Sequence, residues 1–313
     1  MATHLKFSGI LPANILPFTP DYAIHEADYR RHLRWLAGVQ GVTGIVCNGH
    51  AAEVSSLSRE ERRRALAIAT EEVGARLPVI AGVYAESTRE AVALARDAEA
   101  EGASGLLIFP PTLFMWGGRE HPEMVHRHIA TIADAVPVPL VIFQYPPASG
   151  LGYTTEILVR LLEIPTVVAV KEWSNDIVTF ERNLRAIRAT GRPVAVLSSF
   201  TMSLLASFLL GADGAISGMG SVTADFQAEM FAQVQQGDLE AARKIHDRLD
   251  PLVRAFYAPP FLDMHNRMKE ALAMLGRIER AVVRPPLCPI GDAERAAIRT
   301  ALTTAGLLPA VPV

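Results

Sequence analysis

The sequence predicts an α/β protein, a (β/α)8 barrel followed by a C-terminal helical extension, on three observations. Apolar runs of strand length recur eight times, helical segments with recognisable starts lie between them, and beyond residue 236 only helical signals remain. The runs lie at 10–16, 44–47, 79–83, 105–109, 139–143, 166–170, 194–197 and 214–217. They are continuous rather than alternating, which is the pattern of strands buried on both faces, hence of a parallel sheet covered by helices. Eight strands alternating with helices suit a closed barrel; a doubly wound open sheet usually carries fewer.

Two helix starts are explicit. Ser58-Arg59-Glu60-Glu61 and Ser87-Thr88-Arg89-Glu90 both match the capping box, in which a hydroxyl and a carboxylate three residues on satisfy orphan N–H groups reciprocally. Behind them, Ala65, Leu66, Ala69 and Val73, then Val92, Leu94, Ala95 and Ala98, form apolar stripes suited to lie on a sheet. Residues 1–236 are therefore assigned to the barrel and 237–313 to the extension. Its helices are expected at 239–256, 261–275 and 292–305, broken by Pro259-Pro260 and by the proline-rich stretch 285–289. The extension is too small for a core of its own.

Composition narrows the function. The chain has 313 residues, net charge −3, 50% hydrophobic and 20% charged residues, as ordinary globular proteins do. A pI near 6.3 without basic runs leaves no electrostatic footprint for nucleic acid or an anionic membrane. Residues 194–212 carry no charge, yet Ser198, Ser199, Thr201, Ser203 and Ser207 interrupt them, so they read as a buried strand and a buried helix rather than a membrane span. Cys47 and Cys288 stand in no CxxC pair, so neither a disulfide framework nor a thiolate zinc site is encoded, and a reducing cytoplasm fits. The opening MATHLKFSGI lacks the apolar stretch of a signal peptide. Small-molecule chemistry without metal or cofactor is the expectation.

In barrel enzymes chemistry resides at the C-terminal ends of the strands. Strand six is followed there by Lys171, one of only four lysines (with Lys6, Lys244 and Lys269) among 30 Lys plus Arg. Burying an ammonium favours the neutral amine, a nucleophile able to condense with a 2-oxo acid and use the iminium as an electron sink. The structural alternative is a lysine paired with Glu172 or another carboxylate, or reaching to the rim. After strand two, Gly49-His50-Ala51-Ala52-Glu53 offers small residues and backbone N–H groups that could cradle a carboxylate; a plain tight turn, with Glu53 facing outward or tied to backbone, fits equally. Phe143 and Tyr145 share a strand face and can approach Lys171, making Tyr145 either a proton carrier or a buried, satisfied phenol. His121, His126 and His128 miss the i, i+4 spacing of paired metal ligands and are expected to face solvent.

Taken in order, these segments resemble the dihydrodipicolinate synthase/N-acetylneuraminate lyase family of Schiff-base aldolases over nearly the whole chain. The resemblance rests on Leu16-Pro17-Phe18, Gly49 to Glu53, Phe143-Gln144-Tyr145-Pro146 with Gly150, Val170-Lys171-Glu172, Gly211 to Ser217, and Val283-Arg284-Pro285-Pro286-Leu287. It implies a (β/α)8 (TIM) barrel, a homotetramer or homodimer, and Lys171 as the Schiff-base residue. It further implies that His50, Ala51, Ala52, Phe143 and Ile216 hold the substrate. The departures are specific. The family's hydroxyl-bearing loop residues fall at His50 and Ala51, its tyrosine beside the lysine at Phe143, its partner-subunit tyrosine near Thr112, and the synthases' carboxylate-binding arginine at Ala148.

The function expected is a metal-independent lyase or aldolase acting on pyruvate or a longer 2-oxo acid, possessing the family's iminium chemistry but not the dihydrodipicolinate synthase site. Tyr145 or His50 would move the proton. Phe143, Trp116 and Phe114 point to an aromatic or otherwise less polar second substrate, such as an aldehyde. The alternatives are a dehydratase of a sugar-derived 2-keto-3-deoxy acid, and a 2-oxo acid-binding protein or impaired relative.

Overall fold

The computed structural model describes residues 7–199 and 201–309; Lys6 lies outside them. Its strands are β1 (Gly9–Pro12), β2 (Ile45–Cys47), β3 (Val79–Val83), β4 (Gly105–Ile108), β5 (Leu140–Gln144), β6 (Val167–Glu172), β7 (Ala195–Ser198) and β8 (Gly214–Ser217). They form one parallel sheet in the order β1-β8-β7-β6-β5-β4-β3-β2. Two parallel bridges, Ile10 with Val42 and Ala13 with Val46, bring its ends together into a (β/α)8 barrel. The strand residues are buried on both faces, which is why the runs carry no alternation.

Glycine is required at two close approaches. Where β1 meets β8, Gly214 has φ +155°, and a Cβ there would lie 1.9 Å from the Gly9 carbonyl oxygen. In β3, a Cβ on Gly82 would lie 2.1 Å from the Asn48 oxygen, so the bare backbone lets the loop after β2 fold over its neighbour and present His50.

The barrel helices are α1 (Glu26–Gly38), α2 (Arg59–Val73), α3 (Thr88–Ala100), α4 (Pro122–Ala133), α5 (Thr155–Leu161), α6 (Ile177–Ala189), α7 (Leu204–Leu209) and α8 (Gly220–Gln236). Ser58 opens α2 with a complete capping box. Ser87 caps α3 through the Glu90 N–H, but the Glu90 carboxylate accepts from the Glu86 N–H at 3.3 Å, so that box is half formed. The stripe of α2 is buried as expected, whereas in α3 Ala91 takes the buried position assigned to Val92.

Three expectations are corrected. β1 ends at Pro12 rather than at residue 16, because Ala13 N–H bonds to Ser217 and Asn14 N–H to Val46, carrying the chain across the barrel seam. β6 runs on to Glu172, so Lys171 lies within a strand and not after it; Trp173 N–H still reaches the Gln144 carbonyl at 3.0 Å. His128 does not face solvent. It is buried on α4, its Nδ1 2.8 Å from Thr88 Oγ1 and its ring edge-on to Phe114. The uncharged stretch 194–212 forms β7 and the six-residue α7, with Phe200 outside the described residues. Among the described residues no helix is long and apolar enough to cross a membrane.

The extension folds as α9 (Leu239–Phe256), α10 (Met264–Met274) and α11 (Asp292–Thr304). The helix expected over 261–275 begins with a 3-10 turn, Phe261–Asp263, after the two prolines. A buried ion pair fastens α10 to the barrel: Lys269 Nζ lies 2.5 Å from Glu53 Oε1 and 2.8 Å from the Val282 carbonyl. Arg284 adds to the fastening through Glu61 and the Tyr22 and Ser56 carbonyls. Glu53 thus faces inward, with φ +54°, and its second oxygen accepts the Arg284 N–H at 2.9 Å.

Candidate functional site

A pocket of about 460 Å³ opens at the C-terminal ends of the strands, and Lys171 forms part of its wall. The register of β6 sets Lys171 between Phe143 of β5 and Leu197 of β7. The side chain is 6% exposed, and its Nζ stands 3.8 Å from the centroid of the Phe143 ring. Among the described residues no carboxylate pairs with it. Glu172, the partner considered from sequence, points away and accepts from Asn183 Nδ2 at 2.9 Å and from Ser174 at 3.1 Å. Burial without a counter-charge pulls the Lys171 ammonium from its ordinary 10.5 to about 7.

His50 sits opposite. Its Nε2 is hydrogen-bonded to the Tyr145 hydroxyl, with the direction set by the imidazole tautomer. Its ring stands edge-on to Phe109 at 5.0 Å and to Tyr145 at 5.8 Å. Burial, then the proximity of Lys171, lowers His50 to about 3, while burial holds the Tyr145 phenol well above its ordinary value. Both groups are therefore neutral at neutral pH, a pair through which a proton can be relayed.

The turn after β2 is partly self-satisfied. The N–H groups of Ala52, Glu53 and Val54 bond to the carbonyls of Gly49 and His50, leaving those of His50 and Ala51 without a carbonyl partner among the described residues. The carboxylate cradle read from sequence thus shrinks to two N–H groups. Ala51 lines the pocket; Ala52 and Ile216 are buried behind it, Ile216 within the β8 ladder.

The aromatic residues are not all where the sequence reading put them. Phe114 packs on His128, and Trp116 is 83% exposed; neither lines the pocket, because the 3-10 turn after β4 carries them outward. Thr112 is held by Glu86, and Ala148 is exposed. The apolar wall comes from Phe143 and Trp173 instead, with Trp173 5.6 Å from Tyr145 and stacked on Phe261 at 6.2 Å.

Sequence reasoning missed the contribution of the extension. Tyr257, Met264 and His265 line the pocket together with Lys171. Tyr257 donates to Thr201 Oγ1 at 3.1 Å, and burial raises its phenol to about 12. Burial first, then His50 and the two nearby lysines, lowers His265 to about 3. Gly218 leaves room for this ring: a Cβ there would be 3.2 Å from its Nε2. Trp173 had a signal, two residues beyond Lys171 at a strand end; a lone histidine in the extension had none. Beside the pocket lies a groove of about 1040 Å³ that shares His50, Trp173, Met264 and His265 with it and adds Tyr145.

Known proteins match this chain over nearly its whole length. The 4-hydroxy-tetrahydrodipicolinate synthase of Nitrobacter hamburgensis is 33% identical over 310 residues, covering 98% of this chain and all of the relative. The chloride-inhibited dihydrodipicolinate synthase of Acinetobacter baumannii, solved with pyruvate, is 28% identical with TM-score 0.86, covering 97% of this chain and 100% of that one. A monomeric dihydrodipicolinate synthase variant is 25% identical with TM-score 0.88, covering 96% and 98%. The sequence model of the dihydrodipicolinate synthetase family matches residues 6–305. With the barrel, the buried lysine on β6 and the match extending from end to end, this chain belongs to the dihydrodipicolinate synthetase family.

Proposed function

We propose that this chain is a lyase of the class I aldolase type, acting on pyruvate or another 2-oxo acid through an iminium on Lys171. The observation that carries the reading is Lys171 itself: buried on β6, without a carboxylate partner among the described residues, and lowered to about 7. At that value about half of the amine is neutral at pH 7. It attacks the keto carbon, water leaves, and the cationic nitrogen draws electrons from the neighbouring C–C or C–H bond. Loss of a proton from the methyl group yields an enamine, which adds to an aldehyde; aldol cleavage is the reverse. The His50 and Ala51 N–H groups receive the carboxylate, and the His50–Tyr145 pair carries the proton. The barrel and the 237–313 extension act as one unit, since Tyr257, Met264 and His265 complete the pocket.

Aspartate semialdehyde is not the preferred partner in this reading. Ala51 and Phe143 offer no hydroxyl relay, and Ala148 offers no guanidinium for a second carboxylate. The chain assembles as a homotetramer or homodimer, for which the exposed Leu113, Met115 and Trp116 after β4 supply an apolar surface. The free thiols of Cys47 and Cys288 suit a cytoplasmic setting.

Borohydride reduction in the presence of pyruvate tests the core of the proposal. A stable mass increment at Lys171 is expected, and Lys171→Arg is expected to abolish it, because guanidinium stays protonated. Undiminished labelling of the Arg variant would overturn the assignment.

A further inference from the structure

We infer that the groove beside the pocket holds the ring of an uncharged aromatic aldehyde, the second substrate of the Lys171 chemistry; this rests on the reading above. Its position makes it the approach to the amine, since His50, Trp173, Met264 and His265 border both spaces. Leu151, Leu262, Met264, Pro286 and Leu287 make its walls apolar, and Leu262 remains 63% exposed at the rim.

The charged groups on its border are already committed. Arg284 donates from Nε to the Tyr22 carbonyl at 3.0 Å, from Nη1 to the Ser56 carbonyl at 3.0 Å and to Glu61 at 2.9 Å, and from Nη2 to Glu61 at 2.5 Å and to the Tyr22 carbonyl. Glu53 is held by Lys269 at 2.5 Å and by the Arg284 N–H at 2.9 Å. The Ser56 and Ser149 hydroxyls donate to the Glu53 and Pro146 carbonyls. A carboxylated aldehyde entering here would lose hydration without gaining a cation, a costly exchange for a charge. A ring, by contrast, meets flat partners. Tyr145 and Trp173, which line the groove, have ring centroids 5.6 Å apart, and Phe261 stacks behind Trp173 at 6.2 Å. Such surfaces favour offset or edge-on aromatic contact.

In the step implied, the enamine carbon forms a C–C bond to the aldehyde carbon, and the aldehyde oxygen takes a proton from the Tyr145–His50 pair. One water then hydrolyses the iminium, freeing Lys171 and a 4-aryl-4-hydroxy-2-oxo acid; the water lost on iminium formation is regained.

The test is kcat/KM of the full chain with pyruvate and benzaldehyde, hexanal or aspartate semialdehyde, with borohydride trapping of pyruvate at Lys171 measured in parallel. Benzaldehyde is expected to exceed the other two by about tenfold or more, the scale of one well-buried ring or one unmet charge. Leu262→Lys, at the exposed rim, is expected to lower the benzaldehyde value about tenfold. If trapping succeeds but aspartate semialdehyde or hexanal is preferred, the aromatic groove is wrong and the Lys171 reading stands. If pyruvate fails to trap at Lys171, both fall.

Discussion

At the scale of single residues, the site is governed by groups forced toward neutrality. Lys171 is lowered to about 7 by burial, so the reactive free amine becomes the major form as pH rises through that value. The rate of pyruvate trapping should therefore increase roughly tenfold per pH unit below about 7 and level off above it. His50, at about 3, stays neutral throughout and adds no second limb in that range. Tyr145→Phe removes the hydroxyl bound to His50. It is expected to cut turnover by about 10²–10⁴ while pyruvate still traps on Lys171; unchanged turnover would remove Tyr145 from the proton path. Lys171 was legible because a lysine beside an uninterrupted apolar run has few structural uses. His50 and Tyr145 were each legible as strand-end residues, but their hydrogen bond was not, since it depends on how the loop after β2 bends over β3. His265 left no trace, as nothing in a helical stretch says which barrel end it will cover.

At the scale of elements, α10 is attached to the loop after β2 through a buried charge pair, Lys269 with Glu53, whose side chains are 0% and 5% exposed. Lys269→Met leaves the buried Glu53 carboxylate without its cation, held among the described residues by the Arg284 N–H, and removing one member of such a pair costs about 3–5 kcal/mol. A urea melt should register that loss; a change below about 1 kcal/mol would show that the pair contributes little to stability. Strand and helix identities were legible from period and capping, including the complete box at Ser58. Their ends were less so. β6 reaches Glu172 because hydrogen bonds from both neighbouring strands extend it, a cause lying in the other strands and not in residues 166–170. The inward turn of Glu53 was likewise hidden, because its partner is 216 residues away in the chain.

At the scale of the whole molecule, the surface after β4 bears on assembly. Leu113, Met115 and Trp116 are 62%, 45% and 83% exposed, an apolar group without cover in the single chain. If the chain forms the proposed homotetramer or homodimer through this surface, Trp116→Glu is expected to reduce the sedimenting mass to a smaller species; an unchanged mass would remove this surface from the proposed interface. The barrel was legible as a whole because eight runs repeat one unit, while the role of the extension depended on where the last helices dock. That docking has a consequence for how the protein is made. Lys171 leaves the ribosome well before Met264 and His265, and the partner of Glu53 emerges later still at Lys269. A nascent chain that has completed β8 has not yet set Tyr257, Met264 and His265 around the pocket of Lys171. Under the proposed chemistry the pocket is complete only when synthesis is nearly finished, and a chain stalled before α10 is expected to be labelled by pyruvate and borohydride more slowly than the full chain, even with every strand in place.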